Sequence, residues 1–218
     1  AGVSPESEII DAGFLELVRL GLKPAADPLI VKSVDVVDHI IRVKTPNGEG
    51  FYRYNHDGYG EMDDGRRWNW DGKYTGKGRL WALLSGERGQ YELALAAHSS
   101  EAGLPAGNKV QSSVPRSAGK PAAELSKGYS LMARNRLDAM LGFANEGLML
   151  PEQVWDKPDL KSPDKQFVPD LKFGEGTGSA TPLAWSMAQF IRLATNIKAG
   201  RNLDTPQIVY DRYVRGIK

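Results

Sequence analysis

The chain contains no cysteine, only 3 histidines in 218 residues, and no apolar run longer than the five residues of 80–84 or 93–97. Without cysteine there are no disulfides, no thiolate nucleophile and no Cys-type zinc site, a composition compatible with either a reducing or an oxidising compartment. Five-residue apolar runs fall far short of the roughly 20 residues a membrane-spanning helix needs. Charge of one sign is missing too: 28 Lys and Arg against 27 Asp and Glu leave a net +1. No overall field draws the chain to nucleic acid or an anionic membrane. His39, His56 and His98 form no i, i+4 pair, so no local zinc site is built, and no metal or cofactor is expected. No G-x-S-x-G occurs, which sets aside the nucleophile-elbow hydrolases. The length suits one large domain or two small ones. The chain opens at Ala1 without an initiator Met or an apolar leader, and is read as a processed chain or a piece of a longer one.

What is present is helical periodicity interrupted by long loops. Ser4–Pro5 with Glu6 and Glu8 predicts a helix start, with Ile9, Ile10, Phe14, Leu17 and Val18 on one face and Gly21 and Pro24 ending it. Asp27–Pro28 repeats the signal of a capping carboxylate before a first-turn proline, and Ile30, Val34, Val37 and Ile41 mark the next stripe. Helices are also predicted over 79–97, with Glu92 inside, and over 122–144, with Tyr129, Met132, Leu137, Met140 and Leu141 in register. Thr181–Pro182 opens another, with Ala184, Met187, Ala188, Ile191 and Ala194 inward, and Thr205–Pro206 a shorter one. Between them lie three loops, about 45–78, 99–121 and 145–180, rich in glycine, proline or aromatics. Loops above about 15 residues are uncommon in compact domains unless they carry function. About six helices with such loops describe a rigid platform with a site at one end.

The glycine-rich run 173–179 precedes a helix, but its upstream residues are loop formers and no Walker lysine follows. A tight loop allowing close backbone approach is the expectation. Asp57, Glu61, Asp63 and Asp64 lack EF-hand spacing, so Asx turns and salt bridges to Arg53, Arg66 and Arg67 are expected instead. Trp68, Trp70, Trp81 and Trp155, with Tyr52, Tyr54 and Tyr59, all fall in or beside loops. Flat apolar faces with a polar handle suit the C–H face of a sugar ring, although large aromatics also plug loops against a scaffold. Glu152, between Pro151 and Gln153 and close to Trp155, has the fixed placement a general base needs to hold a water. A solvated loop glutamate is the alternative.

Four ordered segments, 53–61 (RYNHDGYGE), 78–94 (GRLWALLSGERGQYELA), 150–156 (LPEQVWD) and 181–186 (TPLAWS), resemble the bacterial members of glycoside hydrolase family 15, the glucoamylases and glucodextranases. The similarity extends over essentially the whole chain. It implies an all-α fold, the (α/α)6 toroid of two concentric rings of six helices, of which this chain resembles the C-terminal half. It also implies an inverting exo-glycosidase acting on non-reducing ends of α-glucans, maltooligosaccharides or isomaltooligosaccharides. Inversion needs an acid and a base with carboxyl groups roughly 6.5–9.5 Å apart. The family's base maps onto Glu152; its acid belongs to an earlier Trp–Glu motif, which is expected upstream of Ala1. By the same resemblance Arg79 would hydrogen bond glucose hydroxyls, and Trp81, Tyr59 and Trp155 would contact substrate. Glu87 and Arg88 are expected as an internal ion pair. Ala82 stands where proline is expected after the tryptophan.

Twelve helices with long connections need about 360 residues at roughly 15 per helix and as many per loop. The implied partner is therefore the N-terminal half of the same catalytic domain, and the chain alone is expected to be nearly inactive. The competing hypothesis is a non-catalytic carbohydrate-binding or interaction module derived from the same fold.

Overall fold

The computed structural model describes residues 4–68, 76–102, 121–163 and 165–217. Most of the predicted loop 99–121, and Trp70, lie outside the described residues. Six α-helices and two small antiparallel sheets occur among those described: α1 (Leu15–Arg19), α2 (Pro28–Ile40), β1 (Arg42–Thr45), β2 (Gly48–Phe51), β3 (Leu80–Trp81), α3 (Ala82–Ala102), α4 (Ala122–Gly142), β4 (Gln153–Val154), α5 (Ala184–Ala199) and α6 (Gln207–Tyr213). No helix among them is long and apolar enough to cross a membrane.

The first predicted helix is not continuous. A 3-10 turn, Glu6–Glu8, is separated from α1 by a stretch in which Asp11 bridges to Tyr54 and Ile10 N–H donates to the Asn55 side chain. These long-range partners replace the helical ladder. α2 follows the sequence more closely: the Asp27 carboxylate accepts from Leu29 N–H, Pro28 occupies the first turn, and Ile30, Val34 and Val37 are buried. Its β-branched residues would suit a strand, but the cap and the 3.6-residue stripe prevail. The stripe packs on Leu15, Val18, Ala25 and Tyr91 at one end and on Ile41 and Phe51 at the other.

The loop expected at 45–78 contains β2. Thr45 pairs with Gly48 across the Pro46–Asn47 turn, completing the β1–β2 hairpin. Gly48 has φ +123°, and a Cβ there would lie 2.4 Å from Ala139 Cβ, so glycine lets the hairpin seat on α4. The helix expected from Arg79 begins at Ala82, because Leu80 and Trp81 are drawn into pairing with Val154 and Gln153.

Three helices form the packed body. Gly86 lies beside Met140, Glu92 bonds Arg136 and Ser100 bonds Ser126, so α3 and α4 run antiparallel. Gly86 against Gln189 and Gly89 against Leu193 make α3 and α5 parallel. A Cβ at Gly86 would fall 2.5 Å from Gln189 Cγ, and one at Gly89 2.7 Å from Leu193 Cδ2. Glycine inside a helix costs about 1 kcal/mol of propensity, and here it permits this close approach. The starts of α3 and α5 and the end of α4 share one end of the body, where the segments leading into α3 and from α4 to α5 gather, whereas α3 ends and α4 begins at the opposite end.

The predicted stripe of α5 is corrected. Ser186, Gln189, Leu193 and Asn196 are buried, whereas Ile191 is 62% exposed. Two of the polar residues turn inward because they hold loops: Ser186 donates to Pro151 O, and the Asn196 side-chain oxygen accepts from Leu203 N–H. On α4 the buried set is Ala133, Arg136, Ala139 and Met140, while Met132 and Leu141 are exposed. Arg136 is inward because it binds buried Glu92 and Glu49. Glu92 carries its carboxylate at 1% side-chain exposure, and its two arginine partners answer the cost of burial.

Candidate active site

Two chain segments meet at the loop end of the body. One leaves β2 and carries Tyr52 to Glu61; the other runs from Leu150 through Glu152 into β4. β3 sets the two side by side, Leu80 bridging to Tyr52 on one side and pairing with Val154 on the other. Glu152 is held by its backbone, Glu152 N–H donating to Ala180 O at 2.8 Å and Gln153 N–H to Ser179 Oγ at 2.9 Å. The glycine-rich run makes this possible: Gly176 bridges to Val154, Thr177 N–H donates to Gln153 O, and Gly176 approaches the Pro151 ring closely. It is the close-approach loop that its composition predicts.

Opposite the carboxylate stands Tyr59. Its hydroxyl lies 3.2 Å from both Glu152 Oε1 and Oε2. Burial first, then the Glu152 charge, pushes the phenol pKa above its ordinary value, so Tyr59 keeps its proton and donates at neutral pH. The Tyr59 ring meets Trp68 edge to face with centroids 4.8 Å apart, and the Trp81 ring at 6.1 Å. Glu152, Tyr59 and Trp81 are thus brought together.

Arg79 and Trp155 are not on this surface. The Arg79 side chain is 1% exposed; Nε donates to Glu61 O at 2.9 Å, Nη1 to Asp156 at 2.6 Å and Nη2 to Asp63 at 3.0 Å. Its guanidinium stacks 4.3 Å over the Trp155 ring, itself 1% exposed with its indole N–H given to Pro158 O at 3.0 Å. The expectation that Arg79 and Trp155 touch sugar directly is therefore corrected: their polar groups are already satisfied inside the protein.

Arg53, by contrast, is partly exposed beside this cluster. It forks onto Asp57 at 3.0 and 2.9 Å, keeps 39% of its side chain exposed, and lies over the Tyr54, Tyr59 and Trp81 rings at 5.0, 5.6 and 5.2 Å. The sequence predicts Arg53 as a salt-bridge partner of the acidic cluster, and its position four residues before Asp57 is the local signal for a carboxylate-fixed guanidinium. The acidic cluster does form ion pairs, Arg53–Asp57, Arg66–Asp64 and Arg79–Asp63. No grouping of three or more metal-ligating side chains occurs among the described residues.

The expected Glu87–Arg88 pair is also corrected. Arg88 binds Asp38 and Glu92, while burial and then the Glu16 charge push the Glu87 carboxyl up to about 7. Consecutive helical residues point about 100° apart, which separates the two.

A mostly helical body thus carries a backbone-held carboxylate among aromatics and a carboxylate-anchored arginine. The chain matches the family model described as glycosyl hydrolases family 15 over residues 2–195. It is 39% identical over 213 residues to a glucoamylase of Clostridium sp. (strain G0005), covering 98% of this chain and 23% of that protein. A bacterial glucoamylase solved in complex with acarbose matches with a TM-score of 0.70 at 38% identity, over 98% of this chain and 24% of that one. The chain belongs to glycosyl hydrolase family 15, whose (α/α)6 toroid accounts for its mostly helical architecture. It spans about a quarter of the length of these relatives.

Proposed function

We propose that Glu152 is the general base of an inverting exo-glycosidase that releases β-glucose from the non-reducing ends of α-1,4- or α-1,6-linked glucans. The observation that carries this reading is the carboxylate of Glu152, fixed through its backbone and faced by Tyr59 in an aromatic, arginine-bearing cluster of a family 15 chain. The acarbose-bound glucoamylase among its matches supports an oligosaccharide as the substrate class.

In this mechanism Glu152 takes a proton from water as the water oxygen bonds to the anomeric carbon. The bond from that carbon to the glycosidic oxygen breaks, and a second carboxylic acid protonates the departing oxygen. That acid comes from the part of the parent protein outside these 218 residues, as does the N-terminal half of the toroid. Arg53 hydrogen bonds sugar hydroxyls, and the Trp81 and Tyr59 rings back the pocket wall. The isolated chain then releases at most traces of glucose from starch or dextran.

The test is Glu152→Gln in the full-length protein. Loss of general-base assistance lowers kcat by about 10²–10⁴-fold while sugar binding, read by calorimetry with a maltooligosaccharide, persists. NMR of the fresh wild-type product shows the β-anomer. Undiminished turnover in the variant, or an α-anomeric first product, overturns the assignment.

A further inference from the structure

Arg79 reaches both segments that build the site. Two of its nitrogens, Nε and Nη2, converge on the carbonyl of Glu61, two residues after Tyr59, and Nη2 also binds Asp63. Its third, Nη1, binds Asp156, four residues after Glu152. The far oxygen of Asp156 accepts from the Tyr52 hydroxyl at 2.6 Å, anchoring that arm to the end of β2. Between the arms lies Gly60, φ +143°, where a Cβ would stand 2.9 Å from Arg79 Cγ and 2.9 Å from Gln153 Oε1. The guanidinium cannot swing to one side, because Trp155 covers its face and its side chain is 1% exposed.

From this geometry we propose that Arg79 is a positioning residue: it braces the Tyr59 loop against the Glu152 loop and thereby sets the Tyr59 hydroxyl against both oxygens of the base. The proposal rests on the reading of Glu152 as base. A planar fork with fixed donor directions suits a brace of this kind, whereas an ammonium supplies one point of attachment. Reaction geometry is sensitive to displacements of about 1 Å, which cost up to 10²-fold in rate. The brace therefore acts on kcat through Tyr59 and leaves the sugar contacts of Arg53 and Trp81 in place.

The experiment is a double-mutant cycle in the full-length enzyme with Tyr59→Phe, Arg79→Lys and both together, assayed well below each variant's unfolding temperature. Each single change is expected to lower kcat about tenfold or more with KM within about twofold. The double variant is expected to be no slower than the worse single one, since Arg79 works through the contact that Tyr59→Phe removes. Losses that multiply, or a rise in KM at unchanged kcat for Arg79→Lys, overturn the proposal. Should Arg79→Lys fail to fold, Asp156→Asn weakens the same arm at constant shape and enters the cycle in its place. Glu152→Gln run alongside separates the two claims: its undiminished turnover sinks the base assignment, whereas its loss of turnover together with a multiplicative cycle sinks only the brace.

Discussion

The Gln153 side-chain amide donates a 2.8 Å hydrogen bond to the backbone carbonyl of Tyr59. The residue after Glu152 is thus tied to the residue whose hydroxyl faces Glu152, through a Gln153 side chain at 1% exposure. Gln153→Leu keeps the volume and removes the donor, leaving the Tyr59 carbonyl without this partner at a cost of about 1 kcal/mol or more. In the full-length protein this change is expected to lower kcat by about 10-fold to 100-fold with KM little altered, because orientation rather than substrate contact is lost. Steady-state kinetics on maltooligosaccharides checks it; a raised KM at constant kcat contradicts it.

Arg53 makes the opposite expectation. Its guanidinium is partly open, forked onto a nearly inaccessible Asp57 carboxylate and flanked by three aromatic rings. Arg53→Lys keeps the charge but loses the fork and the stacking that aim the remaining donors. Substrate affinity is expected to fall about tenfold, the worth of one oriented hydrogen bond to a charged group, with a smaller effect on kcat. Titration calorimetry of the Glu152→Gln background isolates this binding loss from turnover.

The hairpin supplies a stability prediction. Gly48 combines φ +123° with a Cβ position 2.4 Å from Ala139 Cβ. Gly48→Ala meets both the backbone penalty and the clash with α4, and is expected to destabilise the protein by about 2–4 kcal/mol. A lowered Tm by calorimetry checks it, whereas Gly200→Ala, at φ +70° with open space around it, carries the backbone penalty alone and is expected to cost less.

Residues that speak for themselves locally were legible. Asp27–Pro28 announces α2, and Pro182 and Pro206 closely precede α5 and α6. Asn47–Gly48 is itself a hairpin signal, masked by the glycine and aspartate density of its surroundings. What could not be read locally were choices between like residues. Arg53 and Arg79 both sit close to aromatic residues in the sequence; only the fold shows that Asp156, 77 residues along the chain from Arg79, draws one of them inside. The same holds for α5, where Ser186 and Asn196 are buried because distant backbone groups need them and Ile191 is left outside. Hydrophobic periodicity reports the cheapest face to bury, and polar service to loops overrides it.

Glu87 gives a pH-dependent prediction. Its carboxyl is pushed up to about 7 by burial, with Glu16 adding to the effect and Arg192 and Arg19 opposing it. In the unfolded chain the same group ionises near 4.3–4.5. Below that value both states hold the proton, and Glu87 adds no penalty. Between about 4.5 and 7 the unfolded state has released its proton while the folded state retains it, so stability falls as the pH rises. Above about 7 the folded carboxylate is ionised in its half-enclosed place and the penalty is complete, at most about 3.5 kcal/mol at 1.36 kcal/mol per unit. Glu87→Gln mimics the protonated form in shape and removes the titration. The Tm of the variant is therefore expected to match that of the parent near pH 4.5, to exceed it increasingly up to pH 7, and to hold a constant advantage above. An advantage that stays flat across pH 4.5–7, or one that is largest in acid, rules out a raised ionisation at Glu87.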